Sequence, residues 1–424
     1  MARRLSRAPR ALWWLIATGS ALRLLVFATA VGSPSRFWSP DDRDYLPIAT
    51  HLHRAYVASS GTLFDLGLKR TPGYPLFIRG IYDVFGRHYA AVIAIQLILS
   101  VATIGLTFLL GARLLGERRG LLAAGIVACD PSSIVFANQL LTESLFTLLL
   151  VAALLALVVS IQRELAWAAA AGLLLGAAVL VRPIAELVPV LLVPAVVLIG
   201  RSERARAVTL AVVFLAGFLV PAGGWVVRNY VKTHQPIVST IDGHNMLQYR
   251  AVGALENSVT TRQLAQHDVL VALAKRTHPG ENAAAVSRAE LRVGITILAH
   301  HPVGAFRDWS KGEARLLLGG SRAETETLLA GTTDRPRAWL RILVALDEVV
   351  TAATVLAAAL GVVVWLVRSR RPPELWLVLL TGLYLIVVSG GHEAYSRFRV
   401  PVEPALALFA AIALGLLRRR EPAS

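Results

Sequence analysis

Apolar residues in this chain are gathered into blocks, and the blocks are too long for the buried elements of a water-soluble core. Ten runs stand out, at 12–31, 89–110, 120–137, 142–160, 166–181, 184–200, 207–227, 345–367, 374–390 and 400–417. The hydrocarbon core of a bilayer takes about 20 helical residues, so each run predicts a transmembrane helix. The fifth and sixth form one apolar stretch broken only by Arg182-Pro183. Unbroken, that stretch would overshoot the bilayer, and Pro183 lacks a helix donor, so a tight re-entry is expected there. Two long segments, roughly 32–88 and 228–341, separate the runs; neither is low-complexity, and no internal repeat is seen. In the first, Tyr74, Phe77, Ile78, Ile81, Tyr82 and Phe85 recur at helical spacing after Pro75. That pattern predicts an amphipathic helix lying in the membrane interface, with Arg79 and Arg87 toward headgroups. The second carries a helical stretch over 283–300 that ends at His301-Pro302, while the residues before 283 give no clear pattern. The expected fold class is an all-α polytopic membrane protein of about ten spans. Its organisation reads as a membrane module over 1–227, an outer segment over 228–341 and further transmembrane helices over 342–424.

Composition agrees. Of the 424 residues 55% are hydrophobic and 17% charged, against about 25% charged in soluble domains, which excludes an ordinary soluble enzyme. The net charge of +16 would suit nucleic acid if the basic residues formed a patch. Instead, arginines cluster at the ends of the apolar runs, so no nucleic-acid partner is expected. With the N-terminus in the cytoplasm, Arg3, Arg4, Arg7, Arg10, Arg113, Arg118, Arg119, Arg163, Arg201, Arg204, Arg206, Arg368, Arg370, Arg371, Arg418, Arg419 and Arg420 all fall on the inner side. The opposite short connections hold only Arg182, Arg397 and Arg399. The positive-inside rule therefore puts both termini in the cytoplasm and both long segments on the outer face. Met1–Arg10 is basic, but the run after it is too long and lacks a small-residue cleavage site, so no cleavable signal peptide is expected. A single cysteine, Cys129, allows neither an intrachain disulfide nor a cysteine-cluster metal site.

The same topology collects ionisable residues at the outer ends of the helices. Asp41, Asp42 and Asp44 follow Trp38-Ser39-Pro40; Lys69 and Arg70 precede Thr71-Pro72-Gly73-Tyr74-Pro75. Asp130 ends the third run, Glu143 opens the fourth, and Arg182, Arg397 and Arg399 lie in outer turns. Charges at membrane depth are costly and usually pair or serve a function. Carboxylates facing arginines at one interface suit a phosphorylated, lipid-borne substrate. Plainer roles stand beside this one. Asp41 could cap the helix that follows Pro40, Glu143 could belong to a capping box, and Asp130-Pro131 could simply end a span. The three arginines could anchor to headgroups, and His51, His53, His300 and His301 suit loop positions better than metal ligation. Arg23 and the pair Asp347-Glu348 suit packing or the interface. No HExxH, phosphate-binding GxxxxGK[ST] or GxGxxG pattern occurs, so protease, ATPase and dinucleotide readings lack support.

These same residues carry a family resemblance. Trp38-Ser39-Pro40-Asp41-Asp42-Arg43-Asp44-Tyr45 is similar to the first-outer-loop signature of the GT-C superfamily of glycosyltransferases, nearest to the lipid A aminoarabinose transferases and the protein O-mannosyltransferases. Arg70-Thr71-Pro72-Gly73-Tyr74-Pro75 resembles that family's basic residue followed by P-x-Y. Leu141-Thr142-Glu143-Ser144-Leu145-Phe146 resembles its acidic position, and Arg182-Pro183 and Arg397-Phe398-Arg399-Val400-Pro401 resemble later ones. The series departs at Asp42, where glutamate is common, and at Glu143, where aspartate often stands.

The resemblance implies transfer of a sugar from a polyprenyl-phosphate donor to a hydroxyl of a lipid, glycan or protein acceptor on the outer face. A lipid phosphate leaves without a proton, and guanidiniums suit its oxygens, so Arg70, Arg182 and one of Arg397 or Arg399 are expected to bind it. Asp41 is expected as the general base, acting by direct displacement with inversion. Asp42 and Glu143 would orient the base, hold the acceptor or take a divalent cation, and Tyr45 and Tyr74 would position substrate. Membrane lipids complete the expected partners, and the resemblance together with the arginine bias implies a plasma (inner) membrane. A transporter or flippase of a lipid-linked sugar would need the same charges, but such folds usually show repeats and midplane polar groups.

Overall fold

The computed structural model describes residues 9–162, 164–258, 261–330, 338–368 and 372–417, and among these every regular element is helical. The expected inner-side residues Arg3, Arg4, Arg7, Arg163, Arg370, Arg371 and Arg418–Arg420 lie outside the described residues.

The chain begins with α1 (Arg10–Ala30) and enters the first long segment as α2 (Asp42–Thr50), α3 (Thr62–Lys69) and α4 (Gly73–Phe85). It then runs through α5 (Tyr89–Leu115), α6 (Glu117–Cys129), α7 (Pro131–Ala137), α8 (Glu143–Gln162), α9 (Leu165–Val181), α10 (Val188–Ile199) and α11 (Arg204–Leu219). The second long segment is helical as well: α12 (Pro221–Thr233), α13 (Ile241–Asn245), α14 (Val252–Glu256), α15 (Arg262–Ala274), α16 (Ala283–His300), α17 (Pro302–Leu318) and α18 (Arg322–Ala330). Three apolar helices close the fold, α19 (Ala338–Val367), α20 (Leu375–Ser389) and α21 (Glu403–Leu417).

Every apolar run read from the sequence is helical. Among the described residues α1, α5, α8 and α19 are each long and apolar enough to cross a membrane, and the count reaches 6 if each of two bent pairs is one span. One pair is α6 with α7, bent by 53° at Asp130-Pro131; the other joins the Pro183–Ile199 stretch to α11 with a bend of 74°. The shorter apolar helices α9, α20 and α21 accompany them. The run expected over 207–227 is interrupted, because Pro221 starts a new helix.

Backbone proximity holds the bundle together, as expected where lipid tails are as apolar as leucine. A Cβ on Gly172 of α9 would strike the Phe214 carbonyl of α11, and one on Gly217 would strike the Ala169 carbonyl in return. Gly361 of α19 meets the Phe409 carbonyl of α21 in the same way. Gly73, at the start of α4, lies against the Leu180 carbonyl of α9, which brings the first long segment onto the Arg182 turn.

Two sequence readings meet the packing here. Much of the aromatic stripe of α4 packs in protein: Tyr74 and Ile78 are fully enclosed, packed toward α2, α5 and α9, while Phe85 is exposed and Arg79 pairs with Asp83 on the exposed side. The enclosed part of that helix therefore holds the fold together. Arg23 is likewise structural. It is fully buried, with Nε donating to Ser100 Oγ at 2.9 Å and Nη1 to the Ala128 and Gly19 carbonyls at 3.0 Å.

Candidate active site

The ends of α4, α8, α9, α20 and α21 meet at one end of the bundle, where the short turns Pro183–Ala185 and Ser396–Arg399 also lie. They enclose, with α2 and α13, a cavity of about 980 Å³ lined by Asp41, Asp44, Tyr45, Lys69, Arg70, Arg182 and Arg397, among others.

Its floor is one alternating chain of charges. Lys69 Nζ lies 3.0 Å from Asp44 Oδ2, which also accepts from Arg70 Nε at 2.8 Å. Arg70 Nη2 reaches Asp41 Oδ1 at 2.7 Å, and Arg397 Nη1 takes the other oxygen of Asp41 at 2.6 Å. Arg397 Nε continues to Glu143 Oε1 at 2.5 Å, and Arg182 Nη1 ends the chain on the same oxygen. Four cationic side chains thus face three carboxylates, leaving the floor with an excess of positive charge at the edge of an open cavity. The arginines are further held by aromatic faces. The Arg70 guanidinium sits 4.9 Å over Tyr45, and that of Arg182 lies 5.3 Å from the Phe398 ring. Cation–π contacts of this kind stiffen the fork without consuming its donors.

Asp41 occupies the residue before α2, yet its side chain makes no capping bond; the capping role gives way to the two arginines. Burial would raise the Asp41 carboxyl, but Arg397 and Arg70 outweigh it and hold the group well below the usual carboxylate range. Glu143, only 1% exposed, also turns to arginines instead of closing a capping box. Asp130 takes the plain role, capping α7 by accepting from the Ser133 amide at 2.6 Å.

Three expected site residues fall elsewhere. Asp42 is buried and absent from the cavity wall; burial raises its carboxyl, and the Ser39 and Arg43 backbone amides offset this. It holds the turn that presents Asp41. Arg399 is fully buried and faces away from the cavity, so of the pair expected at the phosphate only Arg397 reaches the cavity. Tyr74 lies beneath Tyr45, edge to face at 4.9 Å, and donates to Gln96 Oε1 at 2.6 Å. It supports the wall without forming it. Asp42 and Glu143 therefore do not share a site that could hold a divalent cation, and no group of three or more metal-ligating side chains occurs among the described residues.

The structure also adds residues. Asp44 and Lys69 join the floor. Glu186, Asp242, Arg250, Tyr384 and Glu393 form a second wall. Asp44 carried a readable signal, since it lies three residues after Asp41 and so shares its helix face.

Residues 69–225 match the sequence profile of the family described as dolichyl-phosphate-mannose-protein mannosyltransferase. A search of curated proteins finds no match. Among solved structures, the apo oligosaccharyltransferase of Archaeoglobus fulgidus superposes with a TM-score of 0.57 at 14% identity, covering 97% of this chain and 50% of that one. The archaeal oligosaccharyltransferase AglB from Archaeoglobus fulgidus, in complex with an inhibitory peptide and a dolichol-phosphate, gives 0.52 at 15% identity, covering 96% and 51%. ArnT from Cupriavidus metallidurans bound to undecaprenyl phosphate gives a TM-score of 0.38 at 15% identity, covering 95% of this chain and 78% of that one. The chain spans about half the length of the oligosaccharyltransferase it matches.

Proposed function

We propose that this multi-pass membrane protein, which has the fold of the GT-C superfamily of glycosyltransferases, moves a sugar from a polyprenyl-phosphate donor to a hydroxyl acceptor at the outer membrane face. The observation that carries the proposal is the cationic excess of the cavity floor, in which the cavity-lining Asp41 carboxylate is held between Arg70 and Arg397.

The donor phosphodiester brings negative charge to Arg70, Arg397 and Arg182. Each guanidinium already spends bonds on a carboxylate, so binding is an exchange in which phosphate oxygens replace carboxylate oxygens on the same forks. Arg70 and Arg397 hold Asp41 in its ionised, weakly basic form while the site is empty. Once they turn to phosphate, the Asp41 carboxylate recovers basicity and can take the proton of the acceptor hydroxyl. The oxygen attacks the anomeric carbon from the face opposite the phosphate, the C1–O bond breaks with its electron pair on the phosphate, and polyprenyl phosphate departs. Inversion follows from the single displacement, since a retaining route would need a carboxylate nucleophile. Glu143 keeps Arg397 and Arg182 in register for the leaving group. Roles for Asp42, Arg399 and Tyr74 lie behind this surface, in holding it.

The test is release of polyprenyl phosphate and sugar transfer by the purified protein, wild type beside Asp41→Asn. General-base loss typically costs about 10²- to 10⁴-fold in rate; that loss with donor binding retained is the expected result. Equal rates in both proteins would remove Asp41 from the chemistry, and donor binding without turnover in either would favour a transporter.

A further inference from the structure

Besides the arginine floor, the cavity lining carries an acidic cluster, the wall of Glu186, Asp242 and Glu393. Glu186 stands four residues after Arg182, Glu393 four residues before Arg397, and Asp242 three residues after Ser239, whose hydroxyl donates to the Lys69 carbonyl at 2.6 Å. Each carboxylate therefore rides on a connection that also places the basic floor. Charge compensation differs sharply between the two sides. The three floor carboxylates are each bridged by cations. On the wall, Arg250 acts on Asp242 and Glu393, lying 3.5 Å from Glu393 Oε1, and it also donates to the Val388 carbonyl, while Arg288, which lines the same cavity, donates to Gln235. The Glu186 and Asp242 carboxylates have no hydrogen-bond or salt-bridge partner among the described residues, and they repel each other. Glu393 Oε2 is completely buried and has no hydrogen-bond partner. Enclosed polar groups that face a cavity without partners are costly, and the usual explanation is a ligand that supplies the missing donors.

We infer that Glu186, Asp242 and Glu393 form a subsite for a cationic group, an ammonium or guanidinium, carried by the acceptor next to its reacting hydroxyl. The inference rests on the glycosyltransferase reading for the word acceptor, and on the wall itself for the cation. A metal ion is disfavoured because no three ligating side chains converge among the described residues. The donor is disfavoured because its phosphate is anionic; the same wall that would bind a cation repels it toward the arginines, leaving the acidic side to the second substrate. Asp242 belongs to the second long segment, so acceptor choice and donor binding come from different parts of the chain. Burial pushes the Asp242 carboxyl up to about 6, with Arg250 beside it acting in the opposite direction, as a carboxylate still lacking its counter-charge would behave.

The experiment uses full-length protein in detergent with two probes, octyl glucosaminide, whose amine is protonated, and its neutral N-acetyl form. Binding is read by the thermal-unfolding midpoint without donor, so the readout needs no turnover. Wild type is expected to bind the amine about 10- to 100-fold more tightly. The double variant Glu186→Gln, Asp242→Asn should lose that preference while binding the neutral N-acetyl probe as tightly as wild type. Equal binding of both probes to wild type, or an undiminished preference in the double variant, overturns the subsite. A preference that instead appears only between amino-sugar and neutral-sugar donors overturns the acceptor assignment. Failure of transfer with the amine preference intact would count against the glycosyltransferase reading and leave the cation subsite standing.

Discussion

Arg397 and Arg399 sit two residues apart in one short turn and face opposite environments. Arg397 looks into the cavity, bridging Asp41 and Glu143 from two different segments. Arg399 looks into the protein: Nε pairs with Glu403 at 2.6 Å, Nη1 donates to the Leu316 and Gly319 carbonyls, and Nη2 donates to Ser132 and Thr351 hydroxyls at 2.6 and 2.9 Å. Nearby, Asp347 accepts from the Ser321 amide and hydroxyl at 2.7 and 2.8 Å. This second network ties α7, α17, α19 and α21 together. A buried guanidinium whose partners are all protein groups can only hold structure, whereas one at a cavity edge can exchange partners with a ligand. Composition and motif are the same for both; the difference lies in what their donors reach.

Breaking the inner network should have the larger effect. Arg399→Met removes the partner of buried Glu403 and orphans two carbonyls and two hydroxyls. Removing one member of a buried pair costs about 3 to 5 kcal/mol, so the unfolding midpoint in detergent should fall sharply. Activity per folded molecule, measured below that midpoint, should change little. Near-normal stability with abolished donor turnover would mean instead that Arg399 touches substrate, and the contrast with Arg397 would collapse.

Arg397→Lys is the matching change on the cavity side. Lysine keeps the charge but cannot span Asp41 and Glu143 together, because its ammonium is a point and not a fork. Turnover should drop by about 10- to 100-fold, in the range of one lost charge-assisted bond, while the unfolding midpoint stays within a few degrees. A large stability loss with unaltered turnover of the surviving protein would show that both arginines are structural.

How far could this have been read from sequence? Residue type and membrane side located Asp41, Arg70, Glu143, Arg182 and Arg397, because few reasons exist to keep charges at the ends of apolar helices. Direction within a turn was not legible. Arg397 and Arg399 share Phe398 as a neighbour, and only the packed positions of α17 and α19 decide which one is enclosed. The aromatic stripe of α4 is a helix as expected, but the burial of Tyr74 and Ile78 in protein was not legible, since an apolar face has the same pattern against lipid as against protein. Glu186 and Glu393 lacked a local partner that would have drawn notice. Asp242 falls in a stretch of short helices that local pattern does not specify; α13 takes its place through packing on α16, where a Cβ on Gly243 would strike the Ser287 carbonyl. The bend at Asp130-Pro131 was legible, because a proline after an N-cap aspartate is a local signal.

The smallest effect should come from the neighbour of the proposed base. Successive helical residues point about 100° apart, so when Asp41 faces the arginines Asp42 must face elsewhere, here the Ser39 and Arg43 backbone. Asp42→Asn keeps a side-chain oxygen for those amides and removes a charge whose cationic neighbour is Arg43, outside the floor chain of ion pairs. Turnover should remain within about threefold of wild type, less than one charge-assisted bond is worth, against the loss of at least about 10²-fold expected for Asp41→Asn. The two substitutions are chemically identical and one residue apart, so their ratio measures direction alone. If Asp42→Asn proved as damaging as Asp41→Asn, the base would not be assigned to a single carboxylate, and the turn itself would have to reorient when donor binds. Parallel donor-binding measurements on both variants separate these outcomes, because a reorienting turn would weaken binding in the Asp42 variant whereas a lost base would leave it intact.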